Sequence, residues 1–157
     1  MKHCAFVWLL GLSALFGIAR ADALSEASAL FERYVALEHA FDPAVADLYA
    51  DDALIVNTRL YPNGESVELK VPATEYKMLI RQAMPVAKAT NDTSEYSDVT
   101  YVEEGRGFRV HARRHSNLEQ HTSPLTLLVE PDAQGRWVIR EELSESLAVP
   151  PRPQTAQ

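Results

Sequence analysis

The sequence predicts an α+β fold, with three helices on the N-terminal side packed on one face of a strongly curved, mostly antiparallel sheet. Three observations predict it. A helical period between Leu24 and Phe41 is followed at once by a second short helical segment. A third helical stretch sits between strand signals near residues 72 to 85. Four strands then follow, from Tyr96 to Leu143, as two hairpins. Helices gathered on one side of a bent sheet form two layers with a cavity between them, a cone-shaped pocket.

In the first helix Ala27, Leu30, Phe31, Tyr34, Leu37 and Phe41 recur at steps of three and four, while Glu26, Glu32, Arg33 and His39 fall largely elsewhere. That spacing buries one stripe. Ser25 or Asp22 is suited to cap its start. Asp42-Pro43 supplies a cap followed by proline at the first helical position, which opens a second helix to about Tyr49. Ala53 to Asn57 is a short branched apolar run, and Tyr61-Pro62-Asn63-Gly64 turns it back into Ser66 to Val71. Pro72 starts the third helix, with Tyr76, Leu79, Ile80 and Ala83 on one face, and Pro85 is expected to break or kink it. Tyr96 to Glu103 and Phe108 to Asn117 pair across Glu104-Gly105-Arg106-Gly107, where two glycines supply unusual backbone angles. Leu125 to Glu130 and Trp137 to Leu143 pair across a turn from Pro131 to Gly135. Trp137 reads as a large core residue at the base of the cone.

Residues 1–21 read as an export signal: Lys2 and His3 precede an apolar run from Ala5 to Ile18, which ends in Ala19-Arg20-Ala21. The run is too short for a membrane span, which needs about 20 residues. The expected mature chain therefore starts at Asp22, is periplasmic or secreted, and makes no use of the membrane. Residues 22–147 form one domain, and the proline-rich segment 148–157 is expected to be disordered. Cys4 is the only cysteine and leaves with the signal, so no disulfide or cysteine-based metal site is expected. Loss of Lys2 and Arg20 takes the net charge from −7 to −9. Such an acidic chain repels nucleic acid, which excludes that class of partner.

Phe31-Glu32-Arg33-Tyr34, Leu48-Tyr49-Ala50-Asp51-Asp52-Ala53 and Gly135-Arg136-Trp137-Val138-Ile139 resemble the nuclear transport factor 2-like superfamily. That superfamily includes SnoaL-like cyclases, scytalone dehydratase and ketosteroid isomerase. The resemblance spans Leu24 to about Ser144 and implies the cone fold. Carried over from ketosteroid isomerase, it implies an oxyanion-stabilising role at Tyr34. The catalytic aspartate base, however, falls on Asn57, and the protonated aspartic acid falls on Leu127. An amide takes no proton at neutral pH and a leucine donates no hydrogen bond, which argues against that isomerisation.

The pocket candidates are Tyr34, Glu38, Asn57, Tyr76 and Glu142. Tyr34 sits on the buried stripe, where its phenol either packs against a neighbour or faces the cavity. Glu38 lies one turn later, where desolvation would raise its pKa. Asn57 either orients a ligand or closes a turn with Thr58. On the strand from Phe108 to Asn117, a period of two separates Phe108, Val110 and Ala112 from Arg109, His111, Arg113 and His115. The latter form a basic ribbon. It is read as an outer face neutralised by Glu103, Glu130, Glu141 and Glu142, or as a surface for an anion or a partner, including a second copy in a homodimer. His111 and His115 lie roughly 13 Å apart along the strand, too far for one ion, so no metal is expected. No nucleophile or phosphate-binding motif appears, and no cofactor is expected. The sequence thus points to a cofactor-free domain that binds a small apolar or amphipathic molecule without established catalysis. A lyase, cyclase or isomerase using Tyr34 with Glu38 or Glu142 is the first alternative, and an interaction module is the second.

Overall fold

The computed structural model describes residues 12–148, and the first 11 residues of the expected export signal and the segment from 149 onward lie outside them. Helix α1 runs from Leu12 to His39 without interruption. It passes through both Asp22 and Ser25, so neither caps its start in this structure. Ala27, Leu30, Phe31 and Tyr34 are buried as the spacing requires. A short 3-10 helix, Pro43–Leu48, follows, and the Asp42 side chain accepts from the Ala44 amide at 2.9 Å. The proline occupies a position whose amide would have no partner in any case.

Six strands follow: β1 Tyr49–Leu60, β2 Ser66–Pro72, β3 Ser94–Glu104, β4 Gly107–Ser116, β5 His121–Pro131 and β6 Trp137–Leu147. Helix α2, Ala73–Thr90, lies between β2 and β3. The sheet order is β2-β1-β6-β5-β4-β3; β1 and β6 pair parallel, and every other pair is antiparallel. The three helices pack on this single open sheet, as the sequence predicted. The core is the helix stripe together with Ile55, Val110, Leu125, Leu127, Val129 and Ile139.

Several boundaries differ from the sequence reading, each for a physical reason. β1 starts at Tyr49, four residues before the apolar run, because it pairs with both β2 and β6 and pairing extends a strand beyond its apolar part. β5 starts at His121 and accommodates Pro124, since pairing with β4 continues to His121. Pro85 does not end α2, which continues to Thr90 and stops at Asn91 in the left-handed conformation. The buried side of α2 is set by Ala73, Tyr76, Ile80 and Met84; Leu79 and Ala83 are exposed. Trp137 is only half-buried and packs against the edge of the core. Gly107 is needed for close approach, since a Cβ there would lie 1.9 Å from the Val129 carbonyl oxygen.

Candidate functional site

The interior between helices and sheet is polar as well as apolar. Glu142 is 1% exposed. One carboxylate oxygen accepts from the Tyr49 hydroxyl, and the other accepts from the Tyr76 hydroxyl at 2.8 Å. The two rings meet edge to face at 5.4 Å. Because Tyr49 comes from the start of β1 and Tyr76 from α2, this carboxylate ties three elements together. A buried carboxylate is tolerated only when its lone pairs are satisfied, and these phenols do so.

A second cluster forms where α1 meets β3. The Tyr96 hydroxyl donates to Glu38, and Tyr34 packs against Phe31 at 6.1 Å and Tyr96 at 6.0 Å. The His39 ring donates to the Ser94 carbonyl at 2.6 Å, fixing the end of α1 to the same strand. Burial pushes the Glu38 carboxyl above its ordinary range, against the lowering influence of the Tyr96 hydroxyl and Arg114. Burial likewise holds the phenols of Tyr34, Tyr49, Tyr76 and Tyr96 above theirs, with nearby carboxylates adding to the effect. Arg114 lies within the field of both clusters. Burial alone would lower it, but Tyr34, Tyr96, Glu142 and Tyr76 keep its guanidinium firmly charged.

The structure therefore brings together Tyr34, Glu38, Tyr76 and Glu142 of the residues singled out from sequence. Asn57 stands beside them with its amide already engaged: it donates to Ser144 at 3.1 Å and accepts from Ser146 at 2.8 Å. Sequence reasoning missed Tyr49, Tyr96 and Arg114. For Arg114 the signal was present, because period two places it with Phe108, Val110 and Ala112 on the inner face. Leu127 stands opposite Glu142 in the β5–β6 register, so the buried acid of this interior comes from the neighbouring strand.

Glu142 had also been grouped with the outer carboxylates, and the structure corrects that assignment. Glu141 is the one that faces outward, 2.5 Å from Arg109, which also forms a fork with Glu104 at 2.6 Å. His111 and His115 pair with Thr126 and Thr122 across the strands, and Arg113 lies 3.9 Å from Asp98. Glu103 and Glu130 pair instead with Arg20 and Arg106. The basic ribbon is thus on the outer face, its two arginines facing acidic neighbours and its two histidines facing threonine hydroxyls.

An open cleft of about 840 Å³ lies elsewhere, between residues 26–33 of α1, residues 47–52 and the β5–β6 turn. Ion pairs flank it, Lys77 with Asp51 at 2.6 Å and Arg140 with Asp52 at 2.7 Å among them. Among the described residues no group of three or more histidine, cysteine or acidic side chains is placed to hold a metal ion.

No family profile and no curated protein matches the sequence. Solved structures do match. A nuclear transport factor 2-like protein with a cystatin-like fold from Novosphingobium aromaticivorans superposes with a TM-score of 0.59 at 16% identity, covering 88% of this chain and 91% of that one. The fold is that of nuclear transport factor 2-like proteins. A second such protein, of unknown function, from Shewanella oneidensis gives 0.57 at 17% identity, covering 78% and 98%. A candidate ketosteroid isomerase from Shewanella frigidimarina gives 0.54 at 17%, covering 76% and 94%. At these identities the likeness establishes the fold alone; function rests on the site.

Proposed function

We propose that this nuclear transport factor 2-like domain binds a small amphipathic molecule in the interior between its helices and sheet. The observation that carries the reading is the convergence of Tyr34, Glu38, Tyr49, Tyr76, Tyr96, Arg114 and Glu142 within one helix–sheet layer. Polar groups are costly to bury, and a few of them converging among apolar walls characterise small-molecule sites. Ile80 and Met84 on the inner side of α2 supply apolar wall. The test is a thermal-shift and calorimetric screen of small amphipathic molecules against the protein and the Met84→Trp variant, which adds bulk where Met84 packs against the core. Hits should lose most of their affinity in the variant. Hits that bind both proteins equally would place the site elsewhere, with the open cleft at residues 47–52 the first alternative.

A catalytic reading is favoured by one feature, the raised Glu38 carboxyl beside Tyr34 and Tyr96. It would make Glu38 a proton acceptor at the ligand, and loss of a ligand C–H signal by exchange in deuterated water, abolished in Glu38→Gln, would support it. Export to the periplasm accompanies the binding reading as a proposal from the leader sequence alone, checked by N-terminal sequencing of the fractionated protein. Homodimerisation through the outer sheet face is likewise proposed, and light scattering of the wild type against a charge reversal of Arg109 and Arg113 tests it.

A further inference from the structure

The two interior carboxylates and the interior arginine do not pair with one another. Glu142 spends both oxygens on Tyr49 and Tyr76, and Glu38 accepts from Tyr96. Among the described residues no carboxylate oxygen lies within 4.0 Å of the Arg114 guanidinium, whereas seven other arginines each have such a partner. Its single hydrogen bond is a long one, 3.4 Å from a terminal nitrogen to the Glu145 carbonyl. A guanidinium carries five donors, so most of its capacity is unspent.

A second group with unspent capacity lies close by. His121 Nε2 is buried with no hydrogen-bond partner. His121 and Ser123 share a face of β5, about 7 Å apart at two residues' spacing. Ser123 is 4% exposed and stands directly opposite Arg114 in the β4–β5 register. Arg114 and His121 are therefore diagonal neighbours on the inner sheet face, a separation that long side chains bridge. An unpartnered buried ring nitrogen and an underused guanidinium, side by side, describe a subsite for an oxygen-bearing anion.

We propose that Arg114 and His121 receive the carboxylate of a small monocarboxylic acid, whose apolar part extends beneath α2 toward Ile80, Met84 and Tyr34. The inference rests on the interior-binding reading and adds the charge of the ligand to it. A planar carboxylate matches the guanidinium fork bidentately, and the His121 ring in its Nε2–H form donates to the same group. Ser123 is placed to add a hydroxyl donor from β5.

The test is calorimetric titration with the unbranched acids from butanoate to decanoate and with the matching neutral amides, on the full chain. The acids should bind at least tenfold more tightly than their amides, as expected for hydrogen bonds to a charged group. Arg114→Met should remove that preference while leaving amide binding within about twofold, with His121→Gln weakening the acids less. Arg114→Lys, which keeps the charge but not the fork, serves as the second variant should the methionine variant not fold, and should lose at least part of the preference. Amides that bind as well as acids, with Met84→Trp still blocking both, would overturn the carboxylate subsite and leave the interior site standing. Acids that bind equally to wild type, Arg114→Met and Met84→Trp, or no binding anywhere in the series, would overturn both.

Discussion

Glu141 and Glu142 are neighbours on β6 and chemically identical, yet the fold uses them in opposite ways. Glu141 faces outward and joins Arg109 and Glu104 in an ion-pair network on the outer sheet face, half-buried at Arg109 and Glu141 and exposed at Glu104. Glu142 faces inward and is held by two phenols from two other elements, with no cation against it. The outer network resembles most surface ion pairs, where water screens the attraction and ordering two long side chains offsets much of it. The inner arrangement has no water to fall back on. Every partner removed leaves a buried polar group unsatisfied. One residue of strand register thus separates a replaceable charge from a structural one.

Alkaline pH should break the comparison most severely, because the outer pairs contain no phenol and the interior contains four. Tyr34, Tyr49, Tyr76 and Tyr96 all have folded-state pKa values above the ordinary 10.0. Above pH 10 the unfolded chain releases protons that the folded one keeps, so stability present below pH 10 is lost as pH rises. Each phenol contributes a slope of up to about 1.4 kcal/mol per pH unit. Denaturant melts between pH 8 and 11.5 should show a steep loss beginning near pH 10.

Glu142→Ala should cost about 3 kcal/mol or more, since it leaves two buried hydroxyls without an acceptor and opens a void. Tyr76→Phe, which removes one donor to the charged carboxylate, should cost about 1.5–3 kcal/mol. Glu141→Ala should cost about 1 kcal/mol or less. Chemical denaturation of the three variants side by side would establish the order, and equal losses at Glu141 and Glu142 would contradict the difference drawn between the two faces.

The smallest effect concerns Glu38, whose carboxyl burial pushes above the ordinary 4.5. A carboxyl raised in the folded state binds its proton more tightly there, so its contribution is present at acid pH and lost as pH rises through the folded value. Glu38→Gln should therefore flatten the decline in stability from about pH 4.5 upward, and be better tolerated at pH 8 than at pH 4. A flat or inverted difference between wild type and variant would show that the side chain is not desolvated.

These contrasts explain which parts could be read from the chain. The helix stripe, the Asp42-Pro43 break and the hairpin turns are local signals, and each fixed an element of the fold. Inward and outward positions on β4 were legible too, because the alternation from Phe108 to Arg113 is regular. Glu142 was harder: the run Arg140-Glu141-Glu142 offers no alternation, and the bulge between Leu128 and Val129 shifts the facing register. Tyr49 and Tyr96 were hidden because their role depends on carboxylates 93 and 58 residues away in sequence. Pro85 misled because the half of α2 around it is mostly solvent-exposed, so the neighbouring turns absorb the missing amide without disturbing the core.

Methyl-labelled methionine offers the most direct test of the interior as a binding site, because Met78 is exposed on α2 and Met84 lies against the core. Titrating octanoate into the labelled protein should shift the Met84 methyl resonance, leave that of Met78 in place, and in Arg114→Met shift Met84 only at roughly tenfold higher concentration. Movement of Met78 alone, or a Met84 signal that stays fixed while octanoate binds, would contradict the account.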